Sequence, residues 1–289
     1  SEEDWEVSIR ANVKDKDMID DEDLSFERSY LAGKYANQWL IAGQIPTWWG
    51  PGHDGSLIRG DASKPIIGFT MQRDNQAAPD NKYLNWIGPW QYQLFAGQLD
   101  DYKSIPDAKL IGMRLTAHPT EWLEVGASRT FMWGGEGRSQ SLSSFLDALT
   151  GTKDNVYDAD DDISDQLAGF DARINLAPLT NNSLPVSIYG QYVGEDEAGY
   201  LPSKNMYLAG IDYASSFNTD NMGLIPYQLY TEWTDTRSSG DIKGISYNHH
   251  VYKDGNYQHG YPLGYALGGD TESITIGGIN IEYESVPED

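Results

Sequence analysis

The stretch Trp5-Glu6-Val7-Ser8-Ile9-Arg10-Ala11-Asn12-Val13-Lys14 alternates apolar and polar side chains without a break. Successive side chains of a β-strand point to opposite faces, so a period of two makes a strand with one apolar and one wet face. The pattern returns at Ile111, Met113, Leu115 and Ala117, and again at Leu123, Val125 and Ala127. It recurs at Ala168, Phe170, Ala172, Ile174 and Leu176, then at Val186, Ile188 and Tyr192, then at Tyr207, Ala209, Ile211 and Tyr213. Ile225, Tyr227, Leu229 and Trp233 carry another strand, and Ile279, Ile281 and Tyr283 the last. Roughly 13 to 14 strands are expected, many of about 9–11 residues, the length a tilted strand needs to cross a bilayer. Strands of soluble proteins are nearer to 5–6 residues. The lengths favour an all-β fold, an antiparallel transmembrane β-barrel built as one domain over residues 1–289.

Composition narrows the alternatives. The 289 residues carry 44 Asp plus Glu against 20 Lys plus Arg, a net charge of −24. That balance opposes phosphate contact, so no nucleic-acid partner is expected. Cysteine is absent, which excludes disulfide scaffolds and thiolate-ligated metals. No run reaches the ~18 apolar residues of a spanning helix, but a barrel escapes that test because its lipid-facing and lumen-facing residues alternate. The chain begins Ser1-Glu2-Glu3-Asp4, and a signal peptide is expected to precede it or to have been removed.

The polar faces carry both signs, at Glu6, Arg10, Arg114, Glu124, Asp171, Arg173 and Glu232. They could pair in a lumen or face solvent in a sandwich. Short connections fall near Asn37, at His118-Pro119-Thr120 and at Asn181-Asn182-Ser183. Long ones run over 46–64, 132–167, 194–203 and 236–262, and counting strands between them places all four at one end. Barrels of the outer membrane keep short turns on the periplasmic side and long loops outside. The segments 74–83 and 216–223 are long for periplasmic turns. Leu142, Phe145, Leu146 and Leu149 follow helical spacing, with Gly151 as the stop, and predict a helix over or in the barrel mouth.

Several strings could carry chemistry. In Trp48-Trp49-Gly50-Pro51-Gly52-His53-Asp54-Gly55 the paired rings could stack on a sugar, with His53, Asp54 and Arg59 as polar partners. They could equally pack as a plug or an interfacial belt. Trp133-Gly134-Gly135-Glu136-Gly137-Arg138 is a tight loop in which Arg138 could hold a ligand carboxylate or pair with Glu136. Glu195-Asp196-Glu197 with Tyr200 invites a two-carboxylate glycosidase reading, but neighbours on a strand face opposite ways, so a second loop such as that of Glu136 would have to contribute. Sugar-hydroxyl or cation contact, or mere solvation, fits these acids better. Asp158, Asp160, Asp161, Asp162 and Asp165 suggest calcium, but Ile163 and Gly169 break the EF-hand template, so a solvated acidic loop fits better than weak divalent-cation binding. The histidines His53, His118, His249, His250 and His259 form no metal motif, and His249 reads as a rim hydrogen-bonding group.

Taken together, the strings resemble the Wzi family of capsule assembly proteins. The resemblance rests on Trp48-Trp49-Gly50-Pro51-Gly52, Gly88-Pro89-Trp90, Ser128-Arg129-Thr130 and the Trp133–Arg138 loop. Gly194-Glu195-Asp196-Glu197, Leu201-Pro202-Ser203, Glu232-Trp233, Asp235-Thr236 and Tyr247-Asn248-His249 continue it in order, from Trp5 to Tyr283. The resemblance implies an outer-membrane β-barrel of about eighteen strands, preceded by a small helical region. It implies a surface lectin without catalysis that anchors capsular polysaccharide. Against that pattern a partial chain is expected here, since the strand count falls short and Val286-Pro287-Glu288-Asp289 lacks a terminal aromatic.

The expectations are therefore a monomeric outer-membrane lectin for capsular or exopolysaccharide, in contact with outer-membrane lipid, with extracellular long loops and no resident cofactor or metal. The candidate sugar-binding residues are Trp48, Trp49, His53, Asp54, Arg59, Trp133, Glu136, Arg138, Glu195, Asp196, Glu197, Tyr200 and His249. A porin-like solute channel and a secreted carbohydrate-active enzyme are the alternatives.

Overall fold

The computed structural model describes residues 4–13, 24–150, 164–198, 201–219, 223–238 and 244–280. Strands β1 (Trp5–Ser8), β4 (Tyr30–Tyr35), β5 (Gln38–Gly43), β6 (Ile67–Arg73) and β7 (Trp90–Gln98) begin the wall. Between the first two, β2 (Asn12–Val13) and β3 (Leu24–Ser25) pair only with each other. The wall continues with β8 (Lys109–Thr120), β9 (Leu123–Trp133), β10 (Ser164–Asn175), β11 (Val186–Ala198), β12 (Leu201–Thr219) and β13 (Gly223–Asp235). After a separate small pair, β14 (Tyr257–Gln258) and β15 (Tyr261–Pro262), the last wall strand is β16 (Glu272–Asn280).

Twelve of these strands form one sheet, in sequence order and antiparallel throughout. This is fewer than the alternation suggested. Trp5–Val13 is interrupted after Ser8, and Asn12–Val13 turns to pair with Leu24–Ser25. Among the described residues no pairing joins β1 to β16, so the wall is an open sheet.

The register carries one face unbroken across the sheet. Val7 stands opposite Leu31, Ala127 opposite Phe170, Ile188 opposite Ile211, and Thr231 opposite Ile276. On this face Val7, Leu31, Phe69, Leu94, Leu115, Phe170, Ile188, Ile211, Leu229 and Ile276 are exposed. The other face is buried and largely polar, with Thr70, Thr130, Asp171, Gln191, Asp212, Glu232 and Thr234. Water would not stabilise so broad an apolar face, whereas lipid would. Aromatic rings border the band. Trp90 meets Tyr92 at 6.1 Å, and Tyr227 meets Tyr213 at 6.5 Å and Phe217 at 5.8 Å, near the short turns. Tyr192 and Tyr207 meet at 5.6 Å towards the other end. Such rings favour the two interfaces of a bilayer.

The connections 9–29, 44–66, 99–108, 134–163 and 236–271 share one end, but 74–89, between β6 and β7, is also long and lies at the other. The tight ends include Ala36-Asn37, both at positive φ (49° and 64°), which suits a two-residue hairpin between right-twisted strands. Two expected loops are instead strand. β11 and β12 pair out to Ala198 and Leu201, so 194–198 and 201–203 are paired strand, and β12 runs to Thr219 before β13 starts at Gly223. In β16 the outward residues are Ile274 and Ile276, while Ile279 pairs with inward Gln228 and shares its face. Residues 281 and 283 lie outside the described set.

The helix α1 (Leu142–Thr150) forms as expected but sits on the outside of the wall rather than in the mouth. Ser141 caps it, its Oγ accepting the Ser144 N–H at 3.1 Å. Phe145 packs on Phe131 at 6.0 Å and on Trp133 at 5.3 Å, both on the outward face of β9. Outward Arg129 donates to the Leu149 carbonyl at 2.7 Å, placing a cation at the helix C-terminus, where the dipole favours it. Spacing revealed an apolar stripe but not which surface would receive it.

Candidate functional site

The Trp48–Ile58 loop folds into the concave side of the sheet and is fastened there. Trp49 is 2% exposed, and its indole N–H bonds Gln93 on β7. Its carbonyl accepts the Gln191 amide of β11 at 2.7 Å. These strands are four steps apart, roughly 19 Å in a flat sheet at about 4.8 Å per step, so one residue reaching both requires strong curvature. Gly112 permits the approach, since a Cβ there would lie 2.6 Å from the Trp49 ring. Gln191 also accepts the Leu57 N–H at 2.8 Å.

At the tip of the loop, the Glu232 carboxylate accepts three successive backbone N–H groups. These are His53, Asp54 at 3.0 Å and Gly55 at 3.1 Å, with the Tyr189 hydroxyl adding a fourth bond at 2.9 Å. Beside it, His53 Nε2 lies 3.0 Å from Asp212, which also holds Arg173, and Arg173 donates to the Pro51 carbonyl at 2.9 Å. Trp48 is half-buried, its indole bonded to the Gly52 carbonyl at 3.1 Å, and exposed Asp54 accepts the Thr275 hydroxyl at 2.9 Å. Of the two roles open to these tryptophans, Trp49 here has the plug's.

Above the plug, loops from three connections share one apolar core: Leu57, Ile58 and Ile66, then Leu99, Tyr102 and Ile105, then Tyr247, Tyr252, Leu263 and Tyr265. Tyr247 ties them. Its hydroxyl donates to the Leu57 carbonyl at 2.7 Å and accepts the Tyr265 N–H at 3.0 Å. Burial pushes this phenol's pKa well up, which keeps it a neutral donor.

The remaining candidates are dispersed. Trp133 faces outward under α1, its indole bonded to Ser144 at 3.2 Å. Glu136 is exposed with its N–H on the Pro106 carbonyl at 2.7 Å, and Arg138 is half-buried in the same turn. Glu195, buried on β11, accepts the Tyr247 N–H. It lines a rim cavity of ≈ 220 Å³ with Asp165, Lys204, Asn248, His249 and His250. His249 Nδ1 accepts the N–H groups of Val251 and Tyr252, both at 3.2 Å, which directs its other nitrogen to donate. Glu136 does not line that cavity, so the two-carboxylate arrangement does not assemble there. Asp196 and Glu197 lie in β11 opposite Ser203 and Pro202, while Tyr200 and residues 158–162 fall outside the described set. Among the described residues no group of three His, Asp or Glu is placed to hold a metal ion.

Gln191 was not singled out by motif, and Tyr247 and His259 entered only within a family string and among the histidines. Gln191 carried one usable signal, a polar residue at an inward position between Tyr189 and Val193. Arg59 is buried at 4% exposure, bridged to Trp49, with Phe95 lying 5.0 Å from its guanidinium.

Trp133→Ala should cost about 2 kcal/mol by stripping the ring on which Phe145 packs. Thermal unfolding should shift down while plug and rim stay intact, and unchanged stability would contradict the placement of α1 on the outer wall.

Known proteins match this architecture closely. A family model described as Capsule assembly protein Wzi matches residues 1–280. A Klebsiella pneumoniae protein described as an uncharacterized 55.8 kDa protein in the cps region is 50% identical over 267 residues, covering 92% of this chain and 51% of its own length. The solved structure of Escherichia coli Wzi superposes with a TM-score of 0.81 at 45% identity, covering 96% of this chain and 58% of that one. That protein is described as an outer-membrane protein involved in group 1 capsule assembly and a carbohydrate-binding β-barrel. The chain therefore spans about half the length of the relatives it matches. With the family model matched over nearly all its length and a half-identical relative from a capsule region, the chain belongs to the Wzi family of capsule assembly proteins.

Proposed function

We propose that this protein is a non-enzymatic outer-membrane lectin that holds capsular polysaccharide at the cell surface during capsule assembly. The observation that carries the reading is the division of labour between the faces and the rim. An apolar band runs round the outside, the lumen is crossed by a fastened plug, and the long loops meet at one end as a packed cap with polar cavities. The solved E. coli relative is described as carbohydrate-binding, in accord with such a rim. The plug tells against a solute channel. Glu136 does not share the Glu195 cavity, so the carboxylate pair on which the glycosidase reading drew is not brought together. In this reading the protein works as a monomer against outer-membrane lipid, with no nucleic-acid partner and no resident cofactor.

Binding should be measured on the detergent-solubilised protein with immobilised capsular polysaccharide. Deleting residues 246–256, the core of the last rim loop, should weaken binding at least about 10-fold, since it removes Tyr247, His249 and Tyr252 together. Added EDTA should leave wild-type binding unchanged. A rim-deleted protein that still inserts, stays folded and binds at wild-type strength would refute the rim assignment.

A further inference from the structure

Helix α1 turns its leucines away from the wall it packs on. At about 100° per residue, the buried pair Ser144 and Ala148 lies roughly 160° round the helix from Leu142 and Leu146. Leu142 is 74% exposed and Leu146 48%. A helix lying on a protein wall in water does the reverse, burying its large apolar side chains and leaving the small polar ones outside. Half-buried Phe145 and Leu149 extend the exposed leucines into one apolar flank. Ser143, Asp147 and Thr150 make a polar flank, and the line of wall contact runs between the two.

The C-terminal end of α1 is closed in the way that surroundings poor in water require. The last four carbonyls of a helix have no partner inside it, and in hydrocarbon each must find one in the protein. Here three of the four accept side-chain donors. Thr150 Oγ1 donates to the Asp147 carbonyl at 3.3 Å, Arg129 and Gln166 to that of Ala148 at 3.4 Å, and Arg129 to that of Leu149 at 2.7 Å. Arg129, Ser164 and Gln166 occupy outward positions of β9 and β10, where bare polar groups would meet lipid at high cost. They bond one another as well, Gln166 donating to Ser164 at 2.8 Å and accepting from Arg129. Beneath α1, Ser164 and Gln166 are buried and Arg129 is half-buried. Further along the same outward face of β10 stands exposed Phe170, a member of the apolar band, so the leucine flank continues a surface already turned to lipid.

We infer that α1 is an interfacial helix of the outer leaflet, with its leucine flank seated among acyl chains and its Ser143–Asp147–Thr150 flank meeting the lipid headgroups. The helix thereby screens the polar outward residues at the rim end of β9 and β10 and fixes the depth at which the cap stands on the membrane. The inference rests on the lipid-facing wall and is independent of the lectin reading.

The chain has no cysteine, so a single introduced one can carry a fluorescent label without ambiguity. Leu146→Cys and Ser143→Cys place a nitrobenzoxadiazole label on the two flanks of α1, while Leu115→Cys marks the outer band and Lys253→Cys the rim. Each protein is reconstituted in phosphatidylcholine vesicles and quenched either by nitroxides attached to the acyl chains or by iodide in the buffer. The Leu146 label should emit to the blue of the Ser143 label, yield to the chain nitroxides and escape iodide, at a depth of about 5–10 Å below the headgroup boundary. Iodide should reach the Ser143 and Lys253 labels.

Equal iodide quenching of the Leu146 and Ser143 labels would overturn the inference by placing the whole helix in water. A Leu146 label shielded from both quenchers would overturn it in favour of a protein cover, a second copy of the chain if dimers can be cross-linked. A Leu115 label beyond the reach of the chain nitroxides would overturn the lipid-facing wall itself and the inference with it.

Discussion

Replacing Glu232 by alanine is expected to open a plugged lumen to ions. The carboxylate is 2% exposed and is the sole anchor for three consecutive plug N–H groups, of His53, Asp54 and Gly55. Alanine would leave those donors, and the Tyr189 hydroxyl, facing a space that offers no replacement. At about 1–3 kcal/mol for each buried group left unsatisfied, the loss exceeds about 4 kcal/mol. The local remedy is release of residues 50–56 into water, which satisfies the same N–H groups and costs only the contacts of the tip. Trp49 and Leu57 remain tied to Gln93 and Gln191, so the plug should hinge open rather than leave. Wild-type protein in planar bilayers should be silent or nearly so. Glu232→Ala should show discrete open steps, and Glu232→Gln, which keeps one acceptor oxygen, should show rarer ones. A correctly inserted Glu232→Ala barrel with wild-type conductance would remove the plug assignment.

The wall was legible in the sequence because lipid and lumen impose opposite demands on alternate residues, and that demand is local to each strand. Phe170, Ile188, Ile211 and Leu229 announce the outer face by their spacing alone. Legibility falls off where a second element covers the outer face. Phe131 and Met132 are adjacent and both buried, one under α1 and one towards the rim core, so the alternation disappears where the helix lands. The paired ends of β11 and β12 were hidden for another reason. Glu195-Asp196-Glu197 reads as loop by composition, whereas cross-strand pairing with 202–205 decides its conformation.

The site was less legible still. Glu232, Asp212 and Gln191 are ordinary inward polar residues on their own strands, and their partners lie 134 to 179 positions away in the chain. Only the curvature of the sheet brings the plug to all three at once. Arg59 and Trp49 stood out as unusual residues in a glycine-rich loop, but whether either is structural or ligand-facing depended on burial, which no spacing reveals.

The second large effect expected concerns the ion pair inside the wall. Arg114 on β8 reaches across β9 to Asp171 on β10 with two parallel bonds of 2.7 and 2.9 Å, and donates to Ser128 between them at 2.7 Å. Gly126 makes room for the pair, since a Cβ there would lie 2.4 Å from the Asp171 carboxylate. The side chains are 10% and 2% exposed, so each has given up most of its hydration. Arg114→Met would leave Asp171 charged, buried and unpaired, a change worth about 3–5 kcal/mol. Arg114→Met combined with Asp171→Leu removes both charges and should recover all but about 1–2 kcal/mol, because the pair's attraction largely offsets its own desolvation. The prediction is therefore a single variant far less stable than the double one. It can be read from the temperature at which each barrel unfolds in detergent. Equal losses in the two variants would mean that bridging three strands, rather than cancelling a buried charge, is what the pair contributes.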